Sequence, residues 1–315
     1  MILVAGWDAE SLGASSRELL GAAGALAAAL GEEVGFVSLG PGGVRAAEEA
    51  GGHGAAKVYV VDGDLAATGN EVAVAALAEL AREAEARAVL LRSDERTAEV
   101  APRLAERLGG TAVMHATGVE VRDGRALWTR PVFGGRALAK LSAASEPVVA
   151  TLRRGAFEAA AATGGSAAVS TRAAPAVGDA VELLASEAPP AGESLEDAKV
   201  IVSGGAGIGN GDGFAKLEEL AALLGGAVGA SLAAVDAGWA PPDRQVGLTG
   251  KAVSPDVYFA LGISGASQHL AGIGGAKAVV AVNTDPDAPI FSAARLGVVM
   301  DCHAFVASMI EQLRG

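Results

Sequence analysis

Two α/β domains are what this sequence predicts, the first with a mostly parallel sheet and the second with a doubly wound parallel sheet. Three observations carry that reading. Short apolar runs alternate with Ala/Leu/Glu/Arg segments of helical spacing through the first half, a proline- and acid-rich stretch follows at 171–198, and the alternation restarts at Lys199. A length of 315 residues suits two domains of about 150 each.

In the first half, apolar runs bounded by turn residues predict strands at 2–5, 34–39, 57–61 and 88–91, with helices over 11–30, 70–84 and 97–108. Strand–helix–strand alternation of this kind implies parallel crossovers. After Leu108 the pattern changes: 118–121 and 125–133 flank Asp123-Gly124, a dipeptide suited to the positive dihedrals of a hairpin turn. These antiparallel strands are expected to finish the first sheet. The stretch 171–198, with paired prolines and excess acid, reads as an interdomain connection containing one short strand at 181–184. The domain boundaries that follow are 1–187, a linker at 188–198, and 199–315. Beyond Lys199, strands are predicted at 199–203, 227–230, 257–263, 278–283 and 297–301, and a last helix over 303–313. There is no short-period repeat.

Composition narrows the function classes. The chain is 51% hydrophobic, enough to bury a core and to exclude wholesale disorder. Its 44 glycines and 4% aromatics suggest tight turns and close backbone–ligand contact, not stacking platforms for bases. With 24 basic against 37 acidic residues the net charge is −13, which repels phosphate backbones and anionic lipid, so neither nucleic acid nor a membrane surface is an expected partner. The single cysteine, Cys302, forms no internal disulfide and points to a reducing compartment. The N-terminal MILVAGWDAE reads as a first strand and not a signal peptide, and the apolar run 19–31 is too short to span a bilayer. A soluble, cytoplasmic chain is expected.

Two strand–loop–helix junctions concentrate the chemistry. The strand at 199–203 runs into GGAGIGNGDGF (204–214), with Asp212 a candidate helix cap. Glycine there lets the backbone approach a pyrophosphate at a helix N-terminus, although a flexible β–α turn reads equally well because the spacing is not GxGxxG. A nicotinamide site would add an acid at the end of the next strand, and Ala230-Ser231-Leu232 has none. The second junction is Ser264-Gly265-Ala266-Ser267-Gln268-His269 after the strand at 257–263. Gly262-Ile263-Ser264-Gly265-Ala266 is a loose nucleophile elbow, with Asp285 or Asp287 and His303 downstream, so a serine hydrolase using Ser264 is a remote alternative; a simple helix cap is the plainer reading. His53 and His115 lack neighbours at ligand spacing, so no metal is expected. Cys302 beside Asp301 reads as a small buried filler, and Trp128 and Trp239 as packing residues.

The segments AVDAGW (234–239), RQVGLTGK (244–251), GISGASQHLAGI (262–273) and AVNTDPDAPIF (281–291), followed by Asp301, resemble the C-terminal FAD domain of electron transfer flavoprotein α subunits in order and separation. APRLAERLG (101–109), RPVFGGRALA (130–139) and VATLRRGAF (149–157) extend the likeness over nearly the whole chain. The resemblance implies pairing with a β subunit and one FAD held by the C-terminal domain. It implies electrons accepted from soluble dehydrogenases, often acyl-CoA dehydrogenases, and passed on, often to a membrane quinone oxidoreductase. It places Val246, Gly247, Leu248 and Thr249 beside the isoalloxazine, with Ser231 and Leu232 nearby. Ser264, Gly265, Ala266, Ser267, Gln268 and His269 would serve the phosphates and the pyrimidine carbonyl, His269 as a donor or an imidazolium. Asn283 and Asp301, with Cys302 beside them, would serve the ribose and adenine end. Three positions depart from the family pattern: Leu232 replaces an arginine, Leu248 a glutamine, and Ala206 a second arginine. The loss of polar stabilisation implies a lower flavin potential than is usual in the family. It also keeps a second reading alive, a divergent subunit with weak or altered nucleotide binding that acts mainly as an interaction module.

Overall fold

The computed structural model describes residues 1–315 apart from 9–10, 41–42, 64, 66–69, 134, 136, 178–194 and 315. Contacts divide the chain into two units, Met1–Val132 with Leu138–Ala188, and Pro189–Gly315 with Phe133–Ala137. The strand predicted at 181–184 lies outside the described residues, as does most of the expected linker. Of the rest of that linker, Leu195 and Ala198 are buried in the core of the second unit.

The first unit opens with β1 (Ile2–Gly6), α1 (Ala14–Leu30), β2 (Val34–Ser38), α2 (Val44–Gly51), β3 (Lys57–Asp62), α3 (Asn70–Glu83), β4 (Ala88–Arg92) and α4 (Glu95–Leu108). Helix α1 buries Leu19, Ala22, Ala23, Leu26 and Ala27, a stripe three and four residues apart, and stops at Gly31 in the left-handed region. Asp94 and Thr97 close a reciprocal capping box at the start of α4. There follow β5 (Thr111–Ala116), β6 (Gly118–Arg122), β7 (Arg125–Val132), β8 (Ala137–Ser142), β9 (Val148–Leu152) and β10 (Val169–Ala173). Seven strands form one sheet in the order β10-β3-β2-β1-β4-β9-β5, every described pairing parallel. Along β1, Leu3 and Ala5 join a core with α3 and α4, while Ile2 and Val4 join one with α1 and α2. Burial on both faces is why these strands read as continuous apolar runs.

Two expectations need correction here. The Asp123-Gly124 hairpin forms as predicted, with Arg122 opposite Arg125 and both turn residues at positive φ (50° and 71°). It does not finish the first sheet, however. Strands β6-β7-β8 make a separate three-stranded sheet, and β9 returns from it to insert between β4 and β5. Turn chemistry fixes the hairpin but not the sheet it joins. The second correction concerns the stretch 171–198: residues 171–173 belong to β10, which pairs with β3.

The second unit contains β11 (Val200–Gly204), α5 (Gly211–Leu223), β12 (Ala227–Ala230), α6 (Leu232–Asp236), β13 (Val257–Leu261), α7 (Ser267–Ile273), β14 (Ala278–Asn283), β15 (Leu296–Val299) and α8 (Cys302–Arg314). Its five strands run parallel in the order β12-β11-β13-β14-β15. Helices α5 and α8 cover one face and α7 the other. The order reverses between β11 and β13, so a crevice opens where their following loops diverge, at the carboxyl ends of the strands. No described helix of either unit is long and apolar enough to cross a membrane.

Candidate functional site

Every residue singled out for ligand contact in the second unit follows a strand or lies on the loop 245–251, and because the strands are parallel they collect at one edge of the sheet. Backbone hydrogen bonds tie that edge together. Gly205 and Gly207 donate to the carbonyls of Leu261 and Gly262 (2.9 and 3.0 Å), Ser231 to Gly204 (2.9 Å), Val246 to Ala230 (2.9 Å), and Leu248 to Gln268 (2.8 Å). Glycine is required at these crossings. A Cβ on Gly205 would lie 2.3 Å from the Gly262 oxygen, and one on Gly272 would lie 2.5 Å from the Gly247 nitrogen. Gly265, at φ +86°, would put its Cβ 2.2 Å from the Ile290 nitrogen.

The helix caps differ in part from expectation. Asn210, not Asp212, caps α5, its side chain accepting from the Gly213 amide at 2.8 Å; Asp212 sits in the first turn. Ser231 is buried and caps α6, accepting from the Ala234 amide at 3.4 Å. Helix α7 begins at Ala266 with no side-chain cap, so Ser264, Ala266, Ser267 and Gln268 present an open, exposed turn.

The side chains fall into two groups. Several are committed to the scaffold. Asn283 donates through Nδ2 to the Ile263 carbonyl (3.0 Å) and accepts the Asp285 amide on Oδ1 (3.0 Å). Asp301 accepts the amides of His303 (2.7 Å) and Ala304 (3.0 Å) on Oδ1, and these bonds, Ala304 foremost, hold its carboxyl below the usual range. Cys302 is buried and its thiol approaches the Gly207 carbonyl at 3.6 Å; burial, then the Asp301 charge, raises its pKa, so it is a filler and not a reactive thiolate. Others stand open at the edge: Thr249, whose hydroxyl accepts from Gln245 Nε2 at 2.9 Å, and Leu232 and Leu248, which are 47% and 66% exposed. Val246 beneath them is buried.

His269 is buried, and its Nε2 lies 3.0 Å from the hydroxyl of Tyr258, itself fully buried on β13. Burial pushes the imidazole down to about 4, the Val246 backbone opposing the shift, so at neutral pH the ring is uncharged. Of the two expected roles, donor or imidazolium, the burial of the ring favours the neutral donor. The Tyr258 phenol is held above its usual range by burial, with the Ser203 hydroxyl close by and opposing the shift. Where the phenol O–H donates to Nε2, the neutral imidazole carries its hydrogen on Nδ1, on the side of the Val246 backbone. Nδ1 is buried and no acceptor meets it at full hydrogen-bond geometry, the Val246 backbone being the group that acts on the ring. Sequence reasoning missed Tyr258, since a tyrosine inside a strand looks like any core residue.

The serine-hydrolase alternative does not survive the geometry. Among the described residues no hydrogen bond joins Ser264 to His303, Asp285 or Asp287. The Asp285 carboxylate instead accepts the Asp287 amide at 2.9 Å, and His303 lines a groove between α5 and α8.

Comparison with known proteins places these features in a family. Residues 3–177 match the electron transfer flavoprotein domain and residues 194–274 the electron transfer flavoprotein FAD-binding domain. The chain is 40% identical over 287 residues to an electron transfer flavoprotein subunit alpha of Syntrophomonas wolfei, covering 90% of each chain. It is 40% identical over 304 residues to that of Thermoanaerobacterium thermosaccharolyticum, covering 94% of this chain and 92% of the other. Against the subunit of Clostridium acetobutylicum identity is 35% over 309 residues, covering 95% and 92%. The chain belongs to the electron transfer flavoprotein α-subunit family, and its C-terminal unit is the FAD-binding domain.

Proposed function

We propose that this chain is the FAD-carrying half of a cytoplasmic heterodimer with an electron transfer flavoprotein β subunit. It would take electrons from soluble dehydrogenases such as acyl-CoA dehydrogenases and deliver them to an acceptor such as a quinone oxidoreductase. The observation that carries the reading is the match of residues 194–274 to the electron transfer flavoprotein FAD-binding domain, on a strand edge whose backbone crossings leave no room for a Cβ at Gly205, Gly265 or Gly272. These glycines, where any Cβ would strike backbone, fit the close approach that a dinucleotide needs.

FAD supplies the electron chemistry when bound, and the chain supplies position and electrostatics. Ser264, Gly265, Ala266, Ser267 and Gln268 would meet the phosphates with amides and hydroxyls of the uncapped α7 turn. Val246, Gly247, Leu248 and Thr249 would flank the ring, Thr249 with a hydroxyl whose hydrogen is free because its oxygen already accepts from Gln245. Ser231 orients Leu232 at the start of α6. Asn283, Asp301 and Cys302 would act chiefly by fixing the loops around the ribose and adenine end, since their polar atoms already serve the backbone. His269 would donate from Nδ1 while remaining neutral. With leucines at 232 and 248, the chain offers backbone and hydroxyl donors where its relatives' pattern has cationic or amide side chains.

The test is anaerobic mixing of the assembled complex with a catalytic amount of an acyl-CoA dehydrogenase and its substrate. Loss of flavin absorbance at the rate of dehydrogenase turnover is the expected result. An FAD-loaded complex that stays oxidised would overturn the donor class. A colourless complex that carries another adenine nucleotide would move the reading to the interaction module.

A further inference from the structure

The carboxyl edge of the first sheet holds a second concentration of unspent polar groups. Ser93 follows β4 and its amide donates to the Leu152 carbonyl (2.9 Å); Arg153 follows β9 and its amide donates to Ala116 (2.9 Å). On the outer side of β9, β5 bulges: its register against β9 shifts between Val113 and Ala116, and His115 adopts φ +57°. That conformation is uncommon for a residue with a Cβ and is held here by the buried Thr151 hydroxyl, which accepts the His115 amide at 2.8 Å. Bulges re-aim side chains, and this one brings the His115 ring to the Ser93 hydroxyl, Nδ1 to Oγ 2.5 Å. The backbone of β7 lies alongside, the Thr117 amide donating to the Thr129 carbonyl (2.8 Å), and the charge of the next residue, Arg130, acts on the His115 imidazole.

The charges do not balance. Arg130 Nε and Arg153 Nη2 are buried without a hydrogen-bond partner, and neither guanidinium has an ion pair among the described residues. The neighbouring Arg92 is paired with Asp94 at 2.8 Å, and the Glu18 carboxylate accepts the Gly155 amide at 2.7 Å. Loss of solvent, then the charges of Arg130 and Arg153, hold the His115 imidazole below its usual range. Two partly desolvated cations with unused N–H groups, on a chain of net charge −13, call for an anion, since buried guanidinium donors are costly unless met. A carboxylate would neutralise only one of them, whereas a phosphate dianion would neutralise both and accept from the serine and imidazole as well. The His115 residue as a whole reaches solvent while its ring side is desolvated.

We propose that Ser93, His115, Arg130 and Arg153 form a binding site for a phosphate group in the first unit. The phosphate could arrive free or as an ester, and the chemistry of capture is the same.

The chain has four histidines, so the imidazole C–H resonances can be followed one by one, with His115 assigned through His115→Gln. Inorganic phosphate titrated into the full chain in phosphate-free buffer should shift the His115 signal saturably, while chloride at equal ionic strength should not. Arg153→Gln and Arg130→Gln should each weaken binding by about tenfold or more, with Arg153→Lys and Arg130→Lys retaining part of it. A sugar phosphate that binds more tightly than inorganic phosphate identifies an ester as the ligand, and equal affinity identifies the free ion. A shift that does not saturate, that chloride reproduces, or that survives both glutamine variants overturns the proposal. So does a His115 signal already at its shifted position in the assembled heterodimer without phosphate, which would mean that a partner carboxylate fills the site.

Discussion

Replacing Tyr258 with Phe keeps the ring that fills the core of the second unit and removes only the hydroxyl 3.0 Å from His269 Nε2. In the wild-type chain Nε2 is bonded to the phenol; in Tyr258→Phe it is buried without that partner. Leaving such a group unsatisfied costs about 1–3 kcal/mol, equivalent to roughly a 5- to 150-fold loss in the folding equilibrium constant of that unit. A phenol that donates to Nε2 also favours Nδ1–H, so without it the Nδ1–H population should fall, the Val246 backbone retaining part of the preference. Both effects are readable in one experiment. Nitrogen-15 shifts of the His269 ring report the tautomer, and the ratio of folded to unfolded His269 signals in urea reports the stability. The pre-set donor should be worth about one net hydrogen bond, 0.5–1.5 kcal/mol, so FAD affinity should fall by roughly 2- to 13-fold. If Tyr258→Phe leaves the nitrogen shifts at the Nδ1–H values and stability within about 0.5 kcal/mol of wild type, the hydroxyl does not organise the histidine and the reasoning fails.

Other outcomes follow from the same geometry. Because burial lowers the His269 pKa from 6.5 to about 4, the unfolded chain binds the extra proton first as pH falls. Stability of the FAD-free second unit should therefore decline between about pH 6.5 and 4, by at most about 3 kcal/mol, and His269→Gln should flatten that part of the profile. Gly265→Ala should destabilise the second unit and abolish FAD uptake, since its Cβ would meet the Ile290 backbone at a positive φ. Gly24→Ala in α1, where nothing lies within 4 Å, should stabilise the first unit by about 0.5–1 kcal/mol in thermal denaturation. Leu232→Arg should raise the flavin potential in a redox titration. A unit charge at ~4 Å in an effective dielectric of ~20 is worth about 4 kcal/mol, on the order of 0.1 V, and screening at a half-exposed position reduces it. An unchanged potential would show that position 232 does not face the ring.

The parallel strands were legible because burial on both faces turns each into an unbroken apolar run, as in Ile2 to Ala5 and Ala278 to Val282. Strand β9 has the same character but follows a hairpin excursion, and nothing local says that Val148–Leu152 slots between two strands formed earlier in the chain. Strand β10 was hidden for the opposite reason. Thr171 and Arg172 are exposed on an edge, and their composition resembles the connection that follows. The candidate site was legible only as a set of glycine- and serine-rich strand ends, which parallel topology gathers at one edge. What each side chain does there was not. Asn283 and Asp301 spend their polar atoms on backbone, and His269 is neutral, because burial and partners decide these roles and neither is written in the local sequence.

The account rests on the second unit enclosing FAD at the carboxyl edge of β11 and β13, and the direct measurement is the amount of FAD released on denaturing the purified complex. One FAD per α chain in the wild type, lost in Gly265→Ala and retained in Gly24→Ala, is the result predicted. A well-folded complex of this chain and its β partner that releases no FAD, after incubation with an excess of the cofactor, would contradict it.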